Sequence, residues 1–178
     1  MKSIDKINYH KIDRLAYVCS TLRQQDHDVI LVASGAVGAG ACTLNMDAYP
    51  ESIAEKQALA SVGQGVLMNL YSRFFQHYDQ HVGQILMTRD IVSYPKAYAN
   101  CQTTINSLLM NKIIPIINEN DAVSVDESGR RSKFGENDTL SAVVTEVTEA
   151  DMLIILSDIE GLYDANPHTD ADAKLIPY

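Results

Sequence analysis

Residues Ile113, Ile114, Pro115, Ile116 and Ile117 form a short run that is apolar on every face. A strand with one wet face alternates apolar and polar side chains, so a run without alternation fits a strand covered on both sides, as in a parallel sheet packed between helices. The run stops on Asn118, Glu119, Asn120 and Asp121. Amides and carboxylates therefore stand at the carboxyl end of a buried strand, where open α/β sheets bind their ligands. Further on, Gly135, Glu136, Asn137 and Asp138 precede Leu140, Val143, Val144 and Val147 at helical spacing, which predicts a helix over 136–149 that opens on a second polar cluster. Each cluster alone also fits a plainer role, a turn at Asn120 and Asp121 or a helix cap at Asn137 or Asp138.

The remaining segments supply layers for such a sheet. Ile12, Leu15, Ala16, Cys19 and Leu22 lie on one face of an amphipathic helix over 10–25. Residues 29–33 read as a second buried strand, and Ser34 to Gly40 then turn the chain with small residues only. Such a turn can aim backbone N–H groups at a phosphate or carboxylate, although a tight strand-to-helix connection would look the same. It is neither a dinucleotide-binding GxGxxG loop nor a Walker A loop. Two helices are expected at 51–64 and 66–79, the second carrying a core stripe of Leu67, Leu70, Tyr71, Phe74, Phe75 and Tyr78. A strand follows at 82–87, and a helix marked by Tyr94, Tyr98, Cys101, Ile105 and Leu108 leads into the central run. Met152 to Leu156 should be one more strand, ending on Ser157 and Asp158, before a turn-rich stretch from Gly161 to Pro167. This alternation, undivided by a repeat or linker, predicts one α/β domain over 1–178, a three-layer αβα sandwich with a mainly parallel sheet.

Charge and cysteine usage narrow the function classes. With 23 acidic and 14 basic residues the net charge is -9, which argues against a nucleic-acid surface. Arg130, Arg131 and Lys133 are the one local basic group, and fit the solvated tip of a loop better than a group that draws in an anionic substrate. No apolar run reaches membrane-spanning length, and the opening MKSIDKINYHK lacks the apolar core of a secretory signal, so a cytoplasmic location is expected. Cys19, Cys42 and Cys101 are scattered and odd in number, as reduced thiols are. His77 and His81 stand four apart, but the glutamate of HExxH is absent and Gly83 soon breaks the helix, so we assign no protein metal site.

The two polar clusters, read as NENDAVSVD and KFGENDTLSA, resemble the substrate-binding segment of the glutamate 5-kinase branch of the amino acid kinase family. SGAVGAG is similar to the loop after that family's second strand, and LSDIEGLYDANP resembles its nucleotide-side segment. The resemblance implies transfer of the ATP γ-phosphoryl group to the side-chain carboxylate of L-glutamate, giving L-glutamyl 5-phosphate for proline biosynthesis, with Mg²⁺ carried by the nucleotide. It implies that Ser34, Asp121 and Asn137 hold glutamate with support from Asn118, that Gly35 adjoins the transferred phosphoryl group, and that Asp138 orients catalytic lysines. Ser157 and Asp158 would lie against ATP, with Tyr163 and Pro167 shaping the loop beside it. The loop from Ser124 to Lys133 is expected to be mobile and to order over bound glutamate. A homo-oligomer is expected, with no nucleic acid or membrane partner.

The family pattern opens with a strand ending in Lys-x-Gly-Ser/Thr, and this sequence starts at the helix that normally follows it. It also stops before the family's second lysine, its glycine-rich nucleotide loop and an RNA-binding-like C-terminal domain. The expectation is an incomplete kinase domain that does not turn over alone. The alternative is a non-catalytic amino-acid or nucleotide binding module.

Overall fold

A computed structural model describes residues 7–123, 136–157, 161–165, 167, 169, 170 and 172–177. In chain order the elements are α1 (Tyr9–Gln24), β1 (Leu31–Val32), α2 (Ala36–Thr43), α3 (Ile53–Gln76), β2 (Val82–Met87), a 3-10 turn (Arg89–Ser93), α4 (Pro95–Met110), β3 (Ile114–Glu119) and α5 (Glu136–Thr148).

β3 is the centre of a three-stranded sheet of order β1-β3-β2, with both pairings parallel. Every residue of β3 is buried, as the unbroken apolar run demands. Successive side chains leave a strand on opposite faces, and the core divides accordingly. Ile114 and Ile116 pack with Ala16 and Cys19 of α1 and Leu67, Tyr71 and Phe75 of α3. Ile117 packs on the other side with Cys101 and Ile105 of α4 and Leu140, Val144 and Val147 of α5. The result is the expected αβα arrangement. Each fully buried isoleucine contributes on the order of 2 kcal/mol.

Pro115 sits in the central strand without costing a ladder bond. Ile114 donates its N–H to His81 O at 3.0 Å and Asn120 to Met87 O at 2.9 Å, so even-numbered amides of β3 face β2. Pro115 therefore faces the β1 side, one register before β1 begins with Leu31 opposite Ile116. Its missing N–H falls where no strand stands opposite.

Three sequence expectations need correction. The helices expected at 51–64 and 66–79 are one helix, α3, which runs through Gly65 without a break. Ser52 and Glu55 cap each other's backbone at its start, and the apolar stripe continues across the glycines to hold the helix on the core. The strand expected at 29–33 is ordered as a strand only at Leu31–Val32 and is half-buried, because among the described residues it pairs along one edge alone. The expected strand at 152–156 has no ladder among the described residues, and Met152, Ile154 and Leu156 are 75, 68 and 76% exposed. A strand needs a neighbouring edge, and apolar character alone does not supply one. Near the C-terminal end, Tyr163 and Leu175 form an isolated antiparallel bridge, with Ile176 N–H on Leu162 O at 2.7 Å.

Candidate functional site

The polar residues picked out by sequence gather at the carboxyl end of the sheet. β1 runs out at Ala33, whose N–H donates to Ile117 O at 2.8 Å, and the chain turns at Ser34 and Gly35, both exposed. Gly35 has φ 92, a left-handed conformation that glycine adopts without the strain a Cβ would bring, and it is the N-cap of α2. It contributes no side-chain cap, so the first-turn amides of α2 point into the open space ahead of the helix. An added Cβ at Gly35 or Gly38 would meet nothing within 4 Å, so that approach is unobstructed.

α2 is fixed by contact with α3 at backbone distance. A Cβ on Gly63 would overlap the Ala36 carbonyl oxygen, and one on Gly40 would overlap the carbonyl oxygen of Leu59. Glycine at these two positions lets the helices close, which holds the turn at Ser34 and Gly35 against the strand ends.

On the neighbouring strand, Asn118 is buried and its Oδ1 accepts the Glu119 N–H at 2.9 Å. The chain then turns, with the Val123 N–H on Asn120 O at 3.1 Å. Asp121 is half-buried there, on the wall of a cleft of about 230 Å³ shared with Ser61 and Gln64 of α3 and Leu86 of β2. Across the sheet, Asn137 in the first turn of α5 donates its Nδ2 to the Ala33 carbonyl oxygen at 2.5 Å. One hydrogen bond thus joins the second polar cluster to the residue before Ser34. Asp138, the next residue, is exposed at the same helix start.

Ser34, Gly35, Asn118, Asp121, Asn137 and Asp138 are therefore brought to one end of the sheet by β1, β3 and α5. Of these six Asp121 alone lines the cleft, and Ser157, which follows the exposed run 152–156, does not line it either. Asp158 and the loop from Ser124 to Lys133 lie outside the described residues. A larger, open recess of about 510 Å³, lined by Arg23, Asp26, Asp28, Asn106, Leu109 and Met110, lies at the amino end of the strands. The polar cluster at the carboxyl end is the stronger candidate, because parallel α/β sheets place their ligands there.

Sequence reading missed Gln64, which donates Nε2 to the Glu119 carbonyl at 3.2 Å. A glutamine on a helix has no periodicity of its own; the only sign was its place between Gly63 and Gly65.

Chemically, this end of the sheet offers backbone N–H donors at a helix start, an amide donor at Asn137 and, on the cleft wall, the Asp121 carboxylate, which suits an anionic group beside a cationic one. A parallel sheet between helix layers, with polar turns at the carboxyl ends of its strands, is the layout in which α/β proteins bind small charged ligands. The amino acid kinase family model matches residues 2–178, and the chain belongs to that family. Among its relatives it is similar to proteins named glutamate 5-kinase, from Streptococcus uberis at 55% identity over 170 residues and from Streptococcus agalactiae at 54% over 170 residues. Each match takes in 96% of this chain. The chain spans 63% and 64% of the length of those two relatives.

Proposed function

We propose that this chain carries the glutamate side of a glutamate 5-kinase active site, where the γ-phosphoryl group of ATP passes to the side-chain carboxylate of L-glutamate. The observation that carries the reading is the Asn137 to Ala33 hydrogen bond, which ties the second polar cluster to the Ser34 turn, while the Ala33 N–H on Ile117 O holds that turn beside the strand bearing the first. Membership of the amino acid kinase family and the names of the relatives support the same reaction.

A glutamate side chain ionises near pH 4, so the nucleophile is already an anion at neutral pH and needs no general base. A carboxylate oxygen forms a bond to the γ-phosphorus, the bond to the β-phosphate oxygen breaks, ADP leaves with that electron pair, and no proton moves. The remaining task is to align two anions and offset their repulsion. In this reading Asp121 pairs with the substrate ammonium, Asn137 and Ser34 donate to its carboxylates, and the buried Asn118 stiffens the strand end that carries Asp121. Gly35 leaves the first-turn amides of α2 open to the transferred phosphoryl group. Asp138 orients the catalytic lysines, while Ser157 and Asp158 belong to the nucleotide side.

In this reading Mg²⁺ is carried by the nucleotide phosphates. When bound, it would supply positive charge between the β- and γ-phosphates. Among the described residues no helix is long and apolar enough to cross a membrane. We further expect a cytoplasmic homo-oligomer without a nucleic acid partner.

The test uses an extended form, in which this chain replaces the 170 matching residues of the Streptococcus uberis relative. Incubated with ATP, Mg²⁺, L-glutamate and hydroxylamine, it should trap the acyl phosphate as γ-glutamyl hydroxamate. A folded extended form that binds glutamate without forming hydroxamate would favour the non-catalytic binding module instead. One that binds no glutamate would overturn the glutamate reading and leave a nucleotide binding module.

A further inference from the structure

We propose that Gln64 is a positioning residue for the amino acid substrate, holding the peptide unit that aims Asp121; this rests on the glutamate reading above. Odd-numbered residues of β3 turn their backbone groups toward β1, and the Ile117 carbonyl accepts the Ala33 N–H there. The next acceptor on that edge is the Glu119 carbonyl, but by then the chain of β1 has turned away into Gly35 and α2. The Gln64 Nε2 donates to this carbonyl at 3.2 Å, reaching from α3 across 55 positions of sequence.

The same peptide unit is held on its other side. Its N–H belongs to Asn120 and donates to Met87 O at 2.9 Å on β2. The peptide joining Glu119 to Asn120 is thus clamped at both polar atoms, immediately before the turn that carries Asp121. α3 is a firm base for this clamp, because Gly63 sets it against the Ala36 carbonyl with no room for a Cβ. Gln64 also shares the cleft wall with Asp121. Without the Gln64 donor, the peptide keeps its Asn120 bond to Met87 O but loses its hold on α3, so the turn that carries Asp121 is set less firmly toward the substrate ammonium. Ser157, assigned to the nucleotide side, is not among the residues that line this cleft.

The test compares Gln64→Met, which keeps the length of the side chain but removes the donor, with Gln64→Glu, which sets a carboxylate against a carbonyl. Gln80→Met is the control: Gln80 Nε2 donates to Lys112 O at 2.7 Å and His81 O at 2.9 Å, a clip of the same chemistry at the amino end of the strands. In the extended form, Gln64→Met should raise the KM for L-glutamate about five- to tenfold, and Gln64→Glu more, with kcat and the KM for ATP within about twofold. Gln80→Met should lower the melting temperature similarly and leave all three kinetic values in place. Glutamate turnover with an unchanged glutamate KM in both Gln64 variants overturns the inference alone, and so does an equal rise for glutamate and ATP. An extended form with no glutamate turnover overturns the glutamate reading and this inference with it.

Discussion

Asn137 donates its side-chain N–H to the carbonyl oxygen of Ala33 at 2.5 Å, across 104 positions of sequence. The bond fixes the start of α5 against the end of β1, beside the turn that bears Ser34. Asn137→Asp is nearly isosteric but has no N–H to donate, and it sets a carboxylate against a carbonyl. We expect a loss of about 1–3 kcal/mol in stability together with weaker glutamate binding. Urea unfolding and a glutamate titration of the extended form check both; unchanged values in the two would remove this bond from the site.

The glycines of α3 should respond in opposite directions. Gly63→Ala would press a Cβ into the Ala36 carbonyl, so α2 and α3 must part, at a cost of about 2–4 kcal/mol and with loss of glutamate affinity. Gly65→Ala meets nothing within 4 Å and removes glycine from a helix interior, which should stabilise by about 0.5–1 kcal/mol. Thermal or urea unfolding of the two variants reads the difference directly, and similar behaviour would contradict the packing described for Gly63.

Burial pushes the Cys19 thiol up to about 11 from an ordinary 9.0. Between those values the unfolded chain has lost its thiol proton and the folded chain keeps it, so the unfolded state binds fewer protons and stability falls as pH rises. The contribution is complete below about pH 9 and is lost on the way to pH 11, on the order of 2 kcal/mol in all. Burial raises the Tyr71 hydroxyl as well, in the same direction. Unfolding free energies across this range should therefore decline, and Cys19→Ala should reduce the slope without removing it. An identical slope in the variant would place the alkaline loss elsewhere.

β3 was legible in sequence because its burial is written locally: an apolar run without alternation has few other uses, and every residue of Ile114–Glu119 is buried. The polar residues at its end were legible for the same reason. Gly65 misled, since a glycine in a helical pattern signals a break only when packing does not carry the helix through, and here the stripe from Leu59 to Phe75 does. Met152 to Leu156 read as a buried strand, but whether an apolar run becomes one depends on a neighbouring edge that the run itself does not encode. The Asn137 to Ala33 and Gln64 to Glu119 bonds join residues 104 and 55 positions apart, and no local pattern announces either.

The central claim is that Asp121 and Asn137 read the amino acid and leave the nucleotide to other residues. Asp121→Ala in the extended form tests it most directly, through the KM for L-glutamate and the KM for ATP measured side by side. Removing a charged partner of the substrate ammonium in a half-buried cleft should cost about 2–3 kcal/mol, which raises the glutamate KM roughly thirty- to a hundredfold while the ATP value moves less than about twofold. Equal loss for both substrates, or no loss for glutamate, would contradict the account.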